Sequence, residues 1–573
     1  MKGKNLLFGL CLCLWTSLGW GQKVINVPWY EATNTYMFDI VKMELTNEAT
    51  IITGQVNYFP NEWFRVVGRT VLRGESGKEY KLLKAEGITL NEQIFLPESG
   101  RMTFQLYFEP VDAGEKKVDY VEGNHETDWR IRGIILDEKP QRLEQESDCL
   151  IRGKVQGHLA SSRLVLMGYK DDDRIQEPYA IIPIRNGEFE YVCKLGECKM
   201  YWLVFTDELA RAAFRPVSFF VEPGVINISI LSENSYVDAE IHGGKINNQY
   251  QQYQKLSEDK FHFSDLYNRY ETLSKQKLYF TPRAMELQEL MSLYSKDKTK
   301  SDSLYAIYQQ LEKDKKLYTP QLMALNEESK NLKKREQKWK EEYMAEHPSV
   351  ATYFLLMDDL MSLVDYQVHG FPEEFDMLSF KNVQDLESLY NTIYKPMFPE
   401  HSYTTLVATM LQSLKQIEVG GRYIDFTAPD FEGNSVTLSE QIKGKVALID
   451  LWASWCGPCR RSAKSMIPVY EKYKSKGFTI VGVAREKTVQ TAKAAALQDG
   501  YPWLNLVELN DAGNIWFKYC VGNSGGGTFL VDQEGKILAI CPTAEEVPPP
   551  ELPTQYLNQM FPASLSSTRF NHG

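Results

Sequence analysis

The chain has 573 residues, 43% hydrophobic and 24% charged, ordinary globular usage that excludes wholesale disorder and predicts about three to five domains. Its net charge of −12 repels phosphate backbones and argues against a nucleic-acid partner. A mean hydropathy of −0.37 argues against a polytopic membrane protein.

Residues 1–21 read as an export signal. Lys2 and Lys4 precede an apolar run from Leu6 to Leu18, and Gly19 and Gly21 set small residues at −3 and −1 of a cleavage site before Gln22. That run rises only about 20 Å as a helix, short of a bilayer core of about 30 Å. An uncleaved anchor or a buried helix is the alternative. Cys11 and Cys13 each follow a Leu, whereas a bacterial lipid anchor needs a small residue there. The expectation is a secreted chain in the periplasm or cell envelope, with no membrane insertion after cleavage. Beyond the signal stand Cys149, Cys193, Cys198, Cys456, Cys459, Cys520 and Cys541, an odd set whose pairing is open except for one C-x-x-C.

Residues 22–138 carry strand-length runs with period-two alternation, such as Met102, Phe104, Leu106 and Phe108, and are expected to form a β-sandwich. A polar stretch containing Pro140 reads as a linker. A second β module is expected over 149–243, where Phe189, Tyr191 and Cys193 share one face and Ile226, Ile228 and Ile230 another. Cys193 and Cys198 flank a four-residue turn, as a disulfide or as two unpaired thiols. Residues 244–417 read as helical: no glycine occurs from Lys245 to His369, and Thr281-Pro282 and Thr319-Pro320 look like N-cap and first helical residue. The basic run Lys330–Lys340 is mixed with acids and reads as a solvated helix face. His347 and His369 are isolated, so no metal site is expected.

From about 418 to 560 strands alternate with helices, and 561–573 form a tail. The buried strand Val446–Trp452, interrupted by Asp450 alone, runs into Trp455-Cys456-Gly457-Pro458-Cys459 at the start of a helix. The first Cys then meets the positive end of the helix dipole, where free N–H groups favour thiolate over thiol, and the second lies within reach of it.

Trp-Cys-Gly-Pro-Cys after a buried strand resembles the thioredoxin superfamily. Phe426-Thr-Ala-Pro-Asp-Phe431, Val436-Thr-Leu-Ser439 and Thr528-Phe-Leu-Val-Asp532 resemble its TlpA-like envelope thiol-disulfide oxidoreductases, whose accessory domains the N-terminal segments also resemble. The resemblance implies an α/β domain with Cys456 as attacking thiolate, Cys459 as resolving thiol, Trp455 shielding the site, and Gly457 and Pro458 setting its turn. It implies that Asp450 is a buried acid taking the proton of Cys459, the alternative being an acid exposed at the strand end. It implies no cofactor beyond the Cys456–Cys459 couple, protein disulfides as substrates and a membrane redox partner as electron donor. Gly-Pro between the cysteines resembles the reducing members.

The pattern departs from the family at one place. Gly525-Gly526-Gly527 stands where thioredoxins carry a cis-proline, with Gly526 at the proline's position. A loose, trans loop is expected there, with client choice moved to the N-terminal regions. Two readings from other classes remain: an envelope binding or scaffold protein with a structural thioredoxin unit, and a thiol peroxidase, for which no peroxidatic environment is visible.

Overall fold

The structure is a computed structural model describing residues 23–542, apart from 124, 126–127, 139–140, 158–160, 195, 214, 233–236, 369, 371–377 and 379. The expected signal at 1–21, Pro140, His369 and the tail at 561–573 therefore lie outside the described residues. The chain divides into two compact units, Met1–Tyr169 with Glu177–Gly244, and Lys170–Gln176 with Lys245–Gly573.

In the first unit, the leading β module differs from the expected pair of facing sheets. Nine strands form one continuous ladder, ordered Lys23–Asn26, Phe38–Leu45, Thr50–Asn57, Arg101–Phe108, Glu79–Glu86, Val71–Gly74, Lys117–Val121, Arg130–Ile135 and Ala32–Thr33. Phe38 and Tyr120 sit five strands apart in that order, roughly 24 Å along a flat sheet. Their rings nevertheless lie 5.1 Å apart. The sheet is therefore rolled over its own core of Ile40, Ile52, Leu106 and Ile134. Alternation predicts one buried face per strand, and a rolled sheet meets that demand as well as two stacked sheets do.

The second β module is a sandwich. Glu188–Cys193, Cys149–Gly157, Gly224–Ser232 and Val237–His242 form one four-stranded sheet; Ala180–Pro183, Arg163–Gly168, Lys199–Phe205 and Val217–Val221 form the other. Both contribute to one core that includes Ile151, Leu166, Phe219 and Ile228. Cys193 stands in register with Cys149 rather than bonded to Cys198. Burial pushes the Cys149 and Cys193 thiols up to about 12 and about 11, which keeps them protonated and unreactive.

In the second unit, Thr281 and Thr319 cap helices Pro282–Leu293 and Pro320–Glu346 by accepting from the backbone N–H of Ala284 and Leu322. Helix Val350–Gln367 is buried on most sides and starts at a Ser349/Thr352 capping box. The basic run is solvated at Lys333, Lys334, Arg335 and Lys338. Lys340 is the exception: it is buried and, with Lys381, donates to Asp359 at 2.6 Å. Burial opposes ionisation of Asp359, yet the two ammonium groups hold its carboxyl below the usual range. His347 stacks on Tyr343 at 4.3 Å. Among the described residues no helix is long and apolar enough to cross a membrane.

The C-terminal sheet is ordered Leu504–Leu509, Phe478–Glu486, Val446–Trp452, Gly527–Val531 and Ile537–Ile540. The first three strands are parallel and the last two antiparallel to their neighbours. All seven residues of Val446–Trp452 are buried, as their apolar run requires of a central strand. Helices Gly457–Tyr473 and Val489–Asp499 make the crossovers.

Candidate active site

The strand Val446–Trp452 delivers the motif to the end of the sheet, where Cys456 becomes the N-cap of helix Gly457–Tyr473. Pro458 occupies the first turn, where its missing N–H costs nothing. Cys456 and Cys459 are joined by a disulfide, with Cα atoms 5.3 Å apart. The backbone N–H of Cys459 donates to Cys456 Sγ at 3.2 Å, so a free helix donor is already aimed at the first sulfur. Cys456 is 9% exposed.

Asp450 is a buried acid and not one exposed at the strand end: it is 2% exposed, and its Oδ2 has no hydrogen-bond partner among the described residues. Along a strand, alternate residues share a face, so Asp450 lies on the side of Leu448 and Trp452. Leu448 packs with Ala463 and Met466 of the motif helix, and Cys459 packs against the cluster of Trp452. Asp450 thus lies under the helix that carries both cysteines. Burial pushes its carboxyl up to about 7. In the sheet it is flanked by Thr528 and Gly482.

The glycine loop corrects the expectation of looseness. A Cβ on Gly525 would stand 2.4 Å from Cys456 Sγ, and one on Gly526 would stand 1.9 Å from the carbonyl oxygen of Leu451. Neither residue has a positive φ. What requires glycine here is close approach: the loop backbone lies against the disulfide and the motif strand with no room for a side chain. Gly526→Pro and Gly526→Ala are therefore both expected to cost about 1–3 kcal/mol through overpacking. A Gly526→Ala protein melting within 2 °C of the wild type would refute this reading.

Several residues at the site carried no sequence signal. Ser454 N–H donates to Glu486 at 2.5 Å. Arg485, 1% exposed, forks onto Asp511 at 2.6 and 2.5 Å and reaches Asp172 at 3.4 Å. The guanidinium of Arg174 lies 3.7 Å over the Trp455 ring. Asp172 and Arg174 precede the motif by some 280 residues, beyond any local pattern.

A family model described as the AhpC/TSA family matches residues 419–540, and one described as a domain of unknown function, DUF4369, matches 149–250. The thiol-disulfide oxidoreductase ResA of Bacillus thuringiensis subsp. konkukian is 30% identical over 124 residues, 22% of this chain and 69% of that protein. The chain belongs to the ResA/TlpA-like branch of the thioredoxin superfamily. ResA of Bacillus anthracis is 28% identical over 134 residues, 23% of this chain and 75% of that protein. Among solved structures, the thioredoxin domain of a thiol-disulfide oxidoreductase from Bacteroides vulgatus is 31% identical, with TM-score 0.21, covering 23% of this chain and 92% of that one. This chain is accordingly a thiol-disulfide oxidoreductase, with the AhpC/TSA-type thioredoxin fold in its C-terminal quarter.

Proposed function

We propose that the oxidoreductase reduces disulfides of proteins in the cell envelope, through Cys456 as nucleophile and Cys459 as resolving thiol. The observation that carries this reading is the placement of Cys456 at the N-terminus of a 17-residue helix, bonded to Cys459 and receiving its N–H. In the reduced protein the Cys456 thiolate attacks a client disulfide; one client sulfur bonds to Cys456 Sγ and the other leaves as thiolate. Cys459 then loses its proton to the Asp450 carboxylate and attacks Cys456 Sγ. The Cys456–Cys459 bond forms, the client's second sulfur leaves, and two electrons have passed to the client. Trp455 borders the site, and Gly457 and Pro458 set the first turn of the helix. No cofactor enters these steps.

The envelope placement rests on the signal read in residues 1–21. A membrane dithiol partner is the proposed source of electrons for the next cycle. In a turbidity assay with insulin and dithiothreitol, the full chain should accelerate precipitation at least tenfold over dithiothreitol alone. No acceleration would instead favour the scaffold reading, in which the thioredoxin unit is structural.

A further inference from the structure

We infer that Arg174 is a specificity-determining residue of the dithiol site, binding a carboxylate of the disulfide substrate beside Cys456. The inference rests on the proposal that Cys456 and Cys459 are the redox couple.

The segment Lys170–Gln176 folds with the second unit, and its contacts there are built rather than incidental. Asp172 is fully enclosed and holds Arg174 from two sides, Nε to Oδ1 and Nη2 to Oδ2, each at 2.8 Å. Asp172 is itself fixed by Arg485 at 3.4 Å, and Gln176 donates to Asp511, the other partner of Arg485, at 2.8 Å. The carbonyl of Lys170 accepts from Asn523 Nδ2 at 2.6 Å. The segment is thereby tied to the stretch that leads into Gly525, whose backbone lies against the disulfide.

This scaffold aims one group at the rim. Arg174 lies over the ring of Trp455, the residue before Cys456, and its side chain is 47% exposed. A guanidinium has five N–H donors. The Nε and Nη2 donors are directed to Asp172 and to the carbonyl of Asn523 at 3.4 Å. The two on Nη1 have no partner among the described residues, so the outer edge of a fixed, planar cation is left open beside the reactive pair. A fork held in this way loses little entropy on accepting a carboxylate. Arg461 adds a second cation at the motif, its Nη1 being 3.5 Å from where a Gly457 Cβ would stand. The neighbouring acid Asp173 feels both Lys487 and Arg174 as opposite charges. The rim therefore presents the open Nη1 donors of a guanidinium held in place by Asp172, which match a disulfide with a carboxylate close to its sulfur.

The test uses the reduced full-length protein in single-turnover exchange with two small disulfides. Oxidised glutathione carries carboxylates, whereas bis(2-hydroxyethyl) disulfide is neutral. Arg174→Ala should slow exchange with oxidised glutathione about tenfold, the loss of one charge-assisted hydrogen bond, and leave the neutral disulfide within twofold. Arg174→Lys, which keeps the charge, should recover part of the glutathione rate and none of it in 1 M NaCl. A selective loss below threefold, or an equal loss with both disulfides, overturns the inference. Cys456→Ser run alongside separates the two levels: exchange persisting in that variant removes the dithiol assignment, whatever Arg174 does.

Discussion

Replacing Cys456 by Ser is expected to abolish disulfide reduction, while Cys459→Ser is expected to accumulate mixed disulfides with clients. The two cysteines differ in surroundings more than in chemistry. Cys456 is the N-cap, before the first turn, and receives the N–H of Cys459. Cys459 is inside the helix and packs towards the Trp452 cluster. Helix N-terminal donors lower a thiol's pKa and so raise its thiolate fraction at neutral pH, and only Cys456 is placed to benefit. Serine at 456 removes the nucleophile, so the rate should fall to that of the reductant alone. Serine at 459 leaves the first attack intact and deletes the second, so bonded adducts should be visible on non-reducing gels. Equal alkylation rates for the two cysteines in the reduced protein would contradict the assignment.

Asp450→Asn is expected to act in opposite directions on rate and on stability. As proton acceptor for Cys459 the acid must be ionised, and its carboxyl is pushed up to about 7 by burial. Resolution of the mixed disulfide should therefore speed up as pH rises through about 7. The Asn variant should lose that inflection and resolve roughly a hundredfold more slowly at pH 8. Stability runs the other way. The folded state holds the Asp450 proton more tightly than the unfolded chain, whose carboxyl has its ordinary value of 3.8. Below pH 3.8 the acid is neutral in both states and exacts no charge-burial cost; as pH rises from there to about 7 the unfolded chain gives up its proton first, and stability falls. The loss amounts to about 4 kcal/mol once both states are ionised. Asp450→Asn should therefore exceed the wild type by a few kcal/mol in denaturant unfolding of the thioredoxin transition at pH 8, and match it near pH 4. Equal stabilities at pH 8 would mean that the carboxylate is solvated in the folded protein.

What could be read in advance follows from how local each signal was. Strand, motif and helix are contiguous from Val446 to Tyr473, so a seven-residue apolar run followed by C-x-x-C fixed the central strand and the capping cysteine together. Thr281 and Thr319 announced their helices because capping is a matter of three residues. Asp450 was legible as one acid in an apolar strand. The rolled first sheet was not, because alternation reports which face is buried and not what buries it. Lys340 departs from its solvated neighbours because its partner Asp359 lies on another helix, which no local pattern reveals. Three consecutive glycines suggest freedom, whereas the close approach of Cys456 Sγ to Gly525 and of the Leu451 carbonyl to Gly526 makes the loop a fitted surface. Arg174 left no trace, since nothing near it in sequence is redox chemistry.

The docking of Lys170–Gln176 beside the motif also sets an order of events in the making of the protein. Synthesis runs from the N-terminus, so this segment leaves the ribosome about 280 residues before Cys456. Contacts of such separation form late, because a long loop must close before they are rewarded. A chain interrupted anywhere in between carries Arg174 but not the cysteines it stands beside. A C-terminal fragment made alone carries both cysteines and the acid beneath them, but not the guanidinium on Trp455. The finished rim is thus a mark of an intact molecule: proteolytic fragments holding the cysteine motif are expected to lack whatever selectivity Arg174 confers.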